Sequence, residues 1–207
     1  MFKKLAGLTA IAGLFVAGTA SAQITGTAHD LSANGYSGGE ICIVCHTTHN
    51  TDTTVSDAAL WNHEVTQVAA YTLYSSNTLN STVGQPGGIS KLCLSCHDGT
   101  VAIDSFGGAT GTTFVSGDEL VGTDLSNDHP IALTYDAALN GLDPEIANPV
   151  TTDSGLGAQI NDDMLFGAGN DQLECASCHD VHGGVVNTPL LVLSNADSGL
   201  CLTCHIK

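Results

Sequence analysis

The 207 residues carry 21 acidic and 4 basic side chains, a formal net charge of −17, with only 5% aromatic residues and 24 glycines. So anionic a surface repels nucleic acid and anionic membranes and excludes partners of those classes; it attracts cations, basic proteins and positively charged mineral surfaces. A chain so rich in Gly, Ser, Thr, Asn and Asp buries too little apolar side chain to offset its ordering entropy, so something other than side chains has to fill its core.

Residues 1–22 read as a cleaved secretory signal peptide. Lys3 and Lys4 precede an apolar run from Leu5 to about Gly18, and Ala20-Ser21-Ala22 supplies the small-residue cleavage site. The run is shorter than the roughly 20 residues a membrane-spanning helix needs, and no cysteine near position 23 could take a lipid. The expectation is a secreted protein, periplasmic or extracellular, with residues 23–207 forming one domain. Beyond the leader the only basic side chains are Lys91 and Lys207.

His29 comes first, on an arm close to the new N-terminus, where a side chain can serve its own chain or another subunit. Ser37-Gly-Gly-Glu40 predicts a capping box opening a helix into Cys42–His46. That segment, CIVCH, is the first of four: CIVCH (Cys42, Cys45, His46), CLSCH (Cys93, Cys96, His97), CASCH (Cys175, Cys178, His179) and CLTCH (Cys201, Cys204, His205). C-x-x-C-H is the attachment sequence of c-type haem. Its two thiols add to the two vinyl groups as thioethers, the two intervening residues let one helical turn present both sulfurs to one ring edge, and the histidine is the proximal iron ligand. Disulfides, two zinc sites or redox dithiols would also use paired cysteines. None of them requires a histidine after every second cysteine, so the pattern predicts four covalently attached haems c, which also supply the missing core.

The motifs are separated by 46, 77 and 21 residues, too uneven for a solenoid and consistent with a two-plus-two arrangement of haems. The long insert, Asp98 to Glu174, reads as glycine-rich loops with short strands at Thr113–Val115 and Ile131–Thr134, pinned at His129; a disordered linker is the other reading. Pro189–Leu193 predicts another short strand, and Ser194 with Asp197 a cap before Cys201–His205. The fold expected is a multihaem cytochrome c, mostly irregular, with short helices at the CxxCH motifs and few strands.

Each iron takes a second axial ligand or stays open. Beyond the leader Met164 is the only methionine, so methionine serves at most one iron. Five histidines lie outside the motifs, His29, His49, His63, His129 and His182, which predicts bis-histidine ligation with one imidazole spare or given to a neighbouring subunit. His49 and His182 each follow a motif histidine by three residues, in CHTTHN and CHDVHG. Both imidazoles of such a pair cannot reach opposite sides of one iron, so the second must serve a neighbouring haem. Pro130 restricts His129 to an extended backbone, and Trp61 beside His63 can cover a haem edge.

Together AHDLS, ICIVCHTTHN, LWNHE, KLCLSCHDGTVA, LSNDHPIAL, CASCHDVHG and LCLTCHIK resemble the secreted multihaem cytochromes with doubled CxxCH motifs. Within that group the chain is most similar to the extracellular tetrahaem OmcE family. The resemblance implies stacked bis-histidine haems in a head-to-tail homopolymer, with one axial histidine donated by the adjacent subunit, a role that would fit His29 or His49. It implies electron transfer rather than catalysis, with periplasmic or outer-membrane redox proteins and extracellular acceptors such as metal oxides as partners. A soluble periplasmic carrier is the alternative. A multihaem reductase needs an open iron and nearby cations, and an oxide-binding surface protein or sensor would use the acidic face.

Overall fold

The computed structural model describes residues 24–183 and 190–207. The expected leader lies outside the described residues, as does Pro189. Regular structure is sparse: helices α1 (Gly88–His97), α2 (Ala137–Leu142), α3 (Ile160–Asp163) and α4 (Gly199–Cys204), and a two-stranded antiparallel sheet of β1 (Leu133–Thr134) and β2 (Gln172–Leu173). Leu133 pairs with Leu173 and Thr134 with Gln172. The expected mostly irregular fold with short helices and few strands is what the chain adopts.

Turns replace ladders. Asp30, Asp52, Asp98, Asp124, Asp153 and Asp180 each accept a hydrogen bond from the backbone N–H two residues on. These Asx turns satisfy amides that a helix or sheet would otherwise bind. Many of the acidic residues therefore build the loops as well as keep the chain soluble.

α1 is the longest helix among the described residues, and its ends are both set by distant or unusual contacts. Gly87 precedes it with no side chain to cap. The carboxylate of Glu174 takes that role, accepting from the Ser90 N–H at 3.1 Å. The far end closes where the Asp98 N–H donates to the Leu94 carbonyl at 2.9 Å. Gly99 follows at φ +76°, a left-handed conformation that favours glycine.

Three apolar clusters surround this framework. The largest holds Leu133, Tyr135, Ala147, Ile160, Met164, Leu165 and Leu200, with Cys178 and Cys204 packed against it. Two smaller ones sit on α1: Val55, Val65 and Leu92, and Tyr71, Leu94 and Leu125. All but one buried member of the largest cluster come from the long insert, which is folded and carries α2 and α3.

Several local expectations are corrected. Ser37 and Glu40 form no capping box: Gly38 and Gly39 both take left-handed φ values, 64° and 88°, and the Ser37 hydroxyl donates to the Leu31 carbonyl instead. Cys42–His46 is a single turn rather than a helix. Thr113–Val115 forms no strand, because the Asp104 carboxylate takes the Thr112 and Thr113 amides at 2.9 and 2.7 Å. The Ile131–Thr134 strand shortens to β1. Of Pro189–Leu193, Leu191 makes one isolated bridge, to His179. Ser194 accepts from the Ala196 N–H, and left-handed Asp197 and Ser198 then delay α4 until Gly199.

Ile160 is fully buried, so Ile160→Ala should cost about 2–5 kcal/mol of unfolding free energy, read by chemical denaturation. Hydrogen bonds to Ser32, to the Thr113 backbone and to Ser126, respectively, hold the Asp30, Asp104 and Asp124 carboxyls below their ordinary 3.8. A depressed folded-state pKa gives stability that is complete above the unfolded value and lost as pH falls through the folded one. Acid titration followed by circular dichroism should therefore show the loops loosening below about pH 3.8.

Candidate haem sites

Each CxxC pair occupies one turn, so its two thiols lie on one side of the backbone. In the first motif the Cys45 and His46 amides both donate to the Cys42 carbonyl, at 3.2 and 2.8 Å. In the third, Cys178 and His179 do the same to Cys175, at 3.2 and 3.1 Å. The second motif ends α1, and the fourth forms most of α4, where the His205 amide reaches the Cys201 carbonyl at 2.9 Å. After the turn His46, His179 and His205 leave in extended backbone, held by isolated bridges to Trp61, Leu191 and Ile146. His97 instead stays as the last residue of α1.

The rings are oriented through Nδ1. That atom of His46 donates to the Ala59 carbonyl at 2.8 Å, that of His97 to the Glu119 carbonyl at 2.7 Å, and that of His129 to the Pro130 carbonyl at 3.0 Å. A carbonyl acceptor selects the Nδ1–H tautomer and leaves the Nε2 lone pair for a metal.

Three motif histidines each meet one non-motif histidine. Ring centroids are 6.0 Å apart for His97 and His29, 6.0 Å for His46 and His182, and 6.3 Å for His205 and His129. Two imidazoles sharing one iron, each about 2 Å from it through nitrogen, have centroids roughly 6 Å apart. The residues present therefore fit a bis-histidine haem. The interplanar angles of the three pairs are 51°, 22° and 79°.

The protonation states suit ligands too. Burial first, and then His97, holds His29 below its ordinary pKa, and its Nδ1 is buried with no hydrogen-bond partner. Burial, then His129, does the same for His205. Each is kept as the neutral imidazole that a metal binds.

The remaining candidates are placed differently. His63 is buried, with Nδ1 2.8 Å from the Glu64 carbonyl and Nε2 2.9 Å from that of Ala102, and lies 3.5 Å from Cys96 Sγ. His49 is exposed, its Nδ1 2.8 Å from the Thr48 hydroxyl. Both line an open cavity of about 720 Å³ beside Asp52, Asn62 and Glu64. Met164 is buried in the largest apolar cluster among Ile160 and Leu165.

The second and third motifs interlock. The Cys175 N–H donates to the Ser90 hydroxyl at 2.9 Å, while the Ser90 N–H donates to Glu174, the residue before Cys175. The Cys93 thiol hydrogen-bonds to Cys175, which raises Cys93 and lowers Cys175. Elsewhere burial pushes thiols up, Cys45 and Cys204 to about 11 and Cys96 to about 12. A reactive dithiol needs the opposite shift. Among the described residues the eight cysteines are free, and no three His, Cys, Asp or Glu side chains converge as a metal-ion site would require. Sequence reasoning missed Ser90 and Glu174, because nothing local marks two residues 84 positions apart as partners.

Residues 168–207, which contain the third and fourth motifs, match the family model described as the doubled CXXCH motif. The match supports a multihaem c-type cytochrome with covalently bound haem c, a class whose usual work is electron transfer. No curated protein matches the chain.

Ser90 is fully buried, so Ser90→Ala, which leaves the Cys175 amide without its acceptor, should cost about 1–3 kcal/mol. Hydrogen exchange should show the Cys175 amide losing protection while α2 keeps its own.

Proposed function

We propose that the chain is a tetrahaem electron-transfer protein, with no catalysis of its own, and that its four irons are held between pairs of histidines. The observation that carries this reading is the set of three motif histidines each facing a non-motif histidine at 6.0–6.3 Å. Bound haem supplies a one-electron ferric–ferrous couple at each motif. The chain supplies what that couple needs. The cysteines would hold the haems covalently, the Nδ1 contacts would aim the imidazoles, and paired histidines would leave no position for a substrate.

The ligand sets are His97 with His29, His46 with His182, and His205 with His129. His182 follows the third motif yet lies against the first, so these two rings are tied by one short segment. His179 completes the set of proximal ligands. Of the two histidines left, both nitrogens of His63 lie against backbone carbonyls, which favours His49 as the donor for the fourth iron. His49 is exposed, and the CHTTH spacing that carries it away from His46 mirrors CHDVH. Since His29 is engaged within the chain, His49 is also the better donor to a neighbouring copy.

On this reading copies join head to tail into an extracellular filament like that of the OmcE family, since a heterologous contact that closes no ring grows without limit. The protein lies outside the cytoplasm, receives electrons from periplasmic or outer-membrane redox proteins, and delivers them to acceptors such as metal oxides.

Two measurements test this. Replacing His29, His129 or His182 singly by Ala should turn one iron of four from low-spin to high-spin in the electron paramagnetic resonance spectrum, at unchanged haem content. A wild-type protein with a substantial high-spin iron would instead favour an enzyme. Electron microscopy of the secreted protein should show filaments that are lost in His49→Ala and retained in His63→Gln; isolated particles in the wild type would leave a soluble carrier.

A further inference from the structure

Asp98 immediately follows His97, the iron ligand proposed for the second haem, and it is buried, 5% exposed. Four hydrogen-bonding groups surround its carboxylate, one backbone N–H and three hydroxyls. The Thr66 and Tyr71 hydroxyls donate to Oδ2, each at 2.6 Å. The Thr100 N–H and hydroxyl donate to Oδ1, each at 2.7 Å. The Thr100 N–H can only donate, and three hydroxyls free to donate complete the shell, an arrangement that suits a charged carboxylate. Burial, and then the bond to Asp98, holds the Tyr71 phenol above its ordinary pKa, so it remains a donor.

Among the described residues the charge has no cationic partner. The ion pairs among the described residues are Lys207 with Glu145 and His182 with Asp180. A buried anion without a counter-ion acts on its surroundings over a longer range than an exposed one, because water does not screen it. Asp98 is joined directly to His97 at the end of α1, so the buried charge lies one residue from the proposed iron ligand. The third motif provides a contrast: it too reads CHD, but the Asp180 side chain is 40% exposed.

We propose that Asp98 is a fixed anionic tuner that lowers the reduction potential of the haem held by Cys93, Cys96 and His97. This rests on the electron-transfer reading above and adds to it an inequality among the sites. The ferric centre carries one more positive charge than the ferrous one, so a fixed anion beside it stabilises the oxidised form. The incoming electron, from any one-electron reductant, is therefore accepted less readily at this motif. The donors partly spread the carboxylate charge, so their number sets how strongly it acts.

The test is spectroelectrochemical titration of the complete haem-loaded protein, with haem content and spin state measured on the same samples. Asp98→Asn should raise one of the four midpoints by the equivalent of about tenfold in the one-electron equilibrium, about 59 mV. Tyr71→Phe removes a donor but keeps the charge, and should shift the same midpoint downward by less. Asp118→Asn, an exposed carboxylate on the loop over His97, should leave all four midpoints within a twofold change. Opposite signs for the first two variants cannot come from loosened packing, which would move both the same way. The proposal falls if Asp98→Asn leaves the midpoints unchanged at full haem content, or if both variants shift in one direction. A wild-type protein without low-spin haem overturns the electron-transfer reading itself, and is recognised before any variant is compared.

Discussion

The separation between paired imidazoles is the constraint on which the rest of the molecule depends. His29 meets His97, His46 meets His182 and His129 meets His205 only if long stretches of chain close on themselves. Closing such loops costs entropy, and imidazoles do not attract one another enough to repay it. His29 and His97 even repel when protonated, which contributes to the lowered pKa of His29. On the proposed reading the attraction would come from an iron held between them. The backbone's part is to make each approach rigid, through an Nδ1 contact or an isolated bridge, so that the entropy lost on binding is small.

That requirement explains a fold with so little regular structure. A helix or sheet would present a side-chain surface, whereas a ring held between two imidazoles needs gaps. The chain satisfies its amides locally instead, with Asx turns at Asp30, Asp52, Asp124 and Asp153. The apolar residues form three small clusters in place of one core. Several large apolar side chains stay exposed beside motif residues: Ile43 and Leu202 within motifs, Val121 whose amide donates to the His97 carbonyl, and Ile206 next to His205. A flat apolar group lying against these positions would remove that exposure from water.

The CxxCH turns and the mostly irregular fold were legible in the sequence; the contacts between distant segments were not. C-x-x-C-H is a local pattern, one turn long, and the structure builds one turn at each. The three-residue spacing of His182 from His179 was enough to predict that it serves another site, and it lies against His46. The identity of that partner was beyond reach, because it depends on a contact between distant segments. Local propensity also misjudged the capping box at Ser37, where two left-handed glycines intervene, and the strand at Thr113, where Asp104 captures the amides. The long insert looked like loops because its apolar residues are scattered; they converge only when Leu133, Ile160 and Leu200 meet.

Charge distribution ties the scaffold back to the sites. α1 is bracketed by two buried carboxylates, Glu174 at its N-terminus and Asp98 just past its C-terminus. The first is favoured by the helix dipole and the second is opposed by it. Ser or Asn at position 98 would cap the last turn without that conflict, yet the carboxylate is present and wrapped in donors from Thr66, Tyr71 and Thr100. Thr66 and Tyr71 come from the segment following His63, and Thr66 is anchored in turn by its N–H to Ser95 of α1. The second motif is therefore fastened to the preceding loop through its negative charge. Apolar packing could have joined the same two segments, as Leu94 and Tyr71 already do. A buried charge adds nothing to stability that such packing could not. Its distinctive property is the field it exerts, and in a chain with so few cations the natural object of that field is a positively charged centre beside His97.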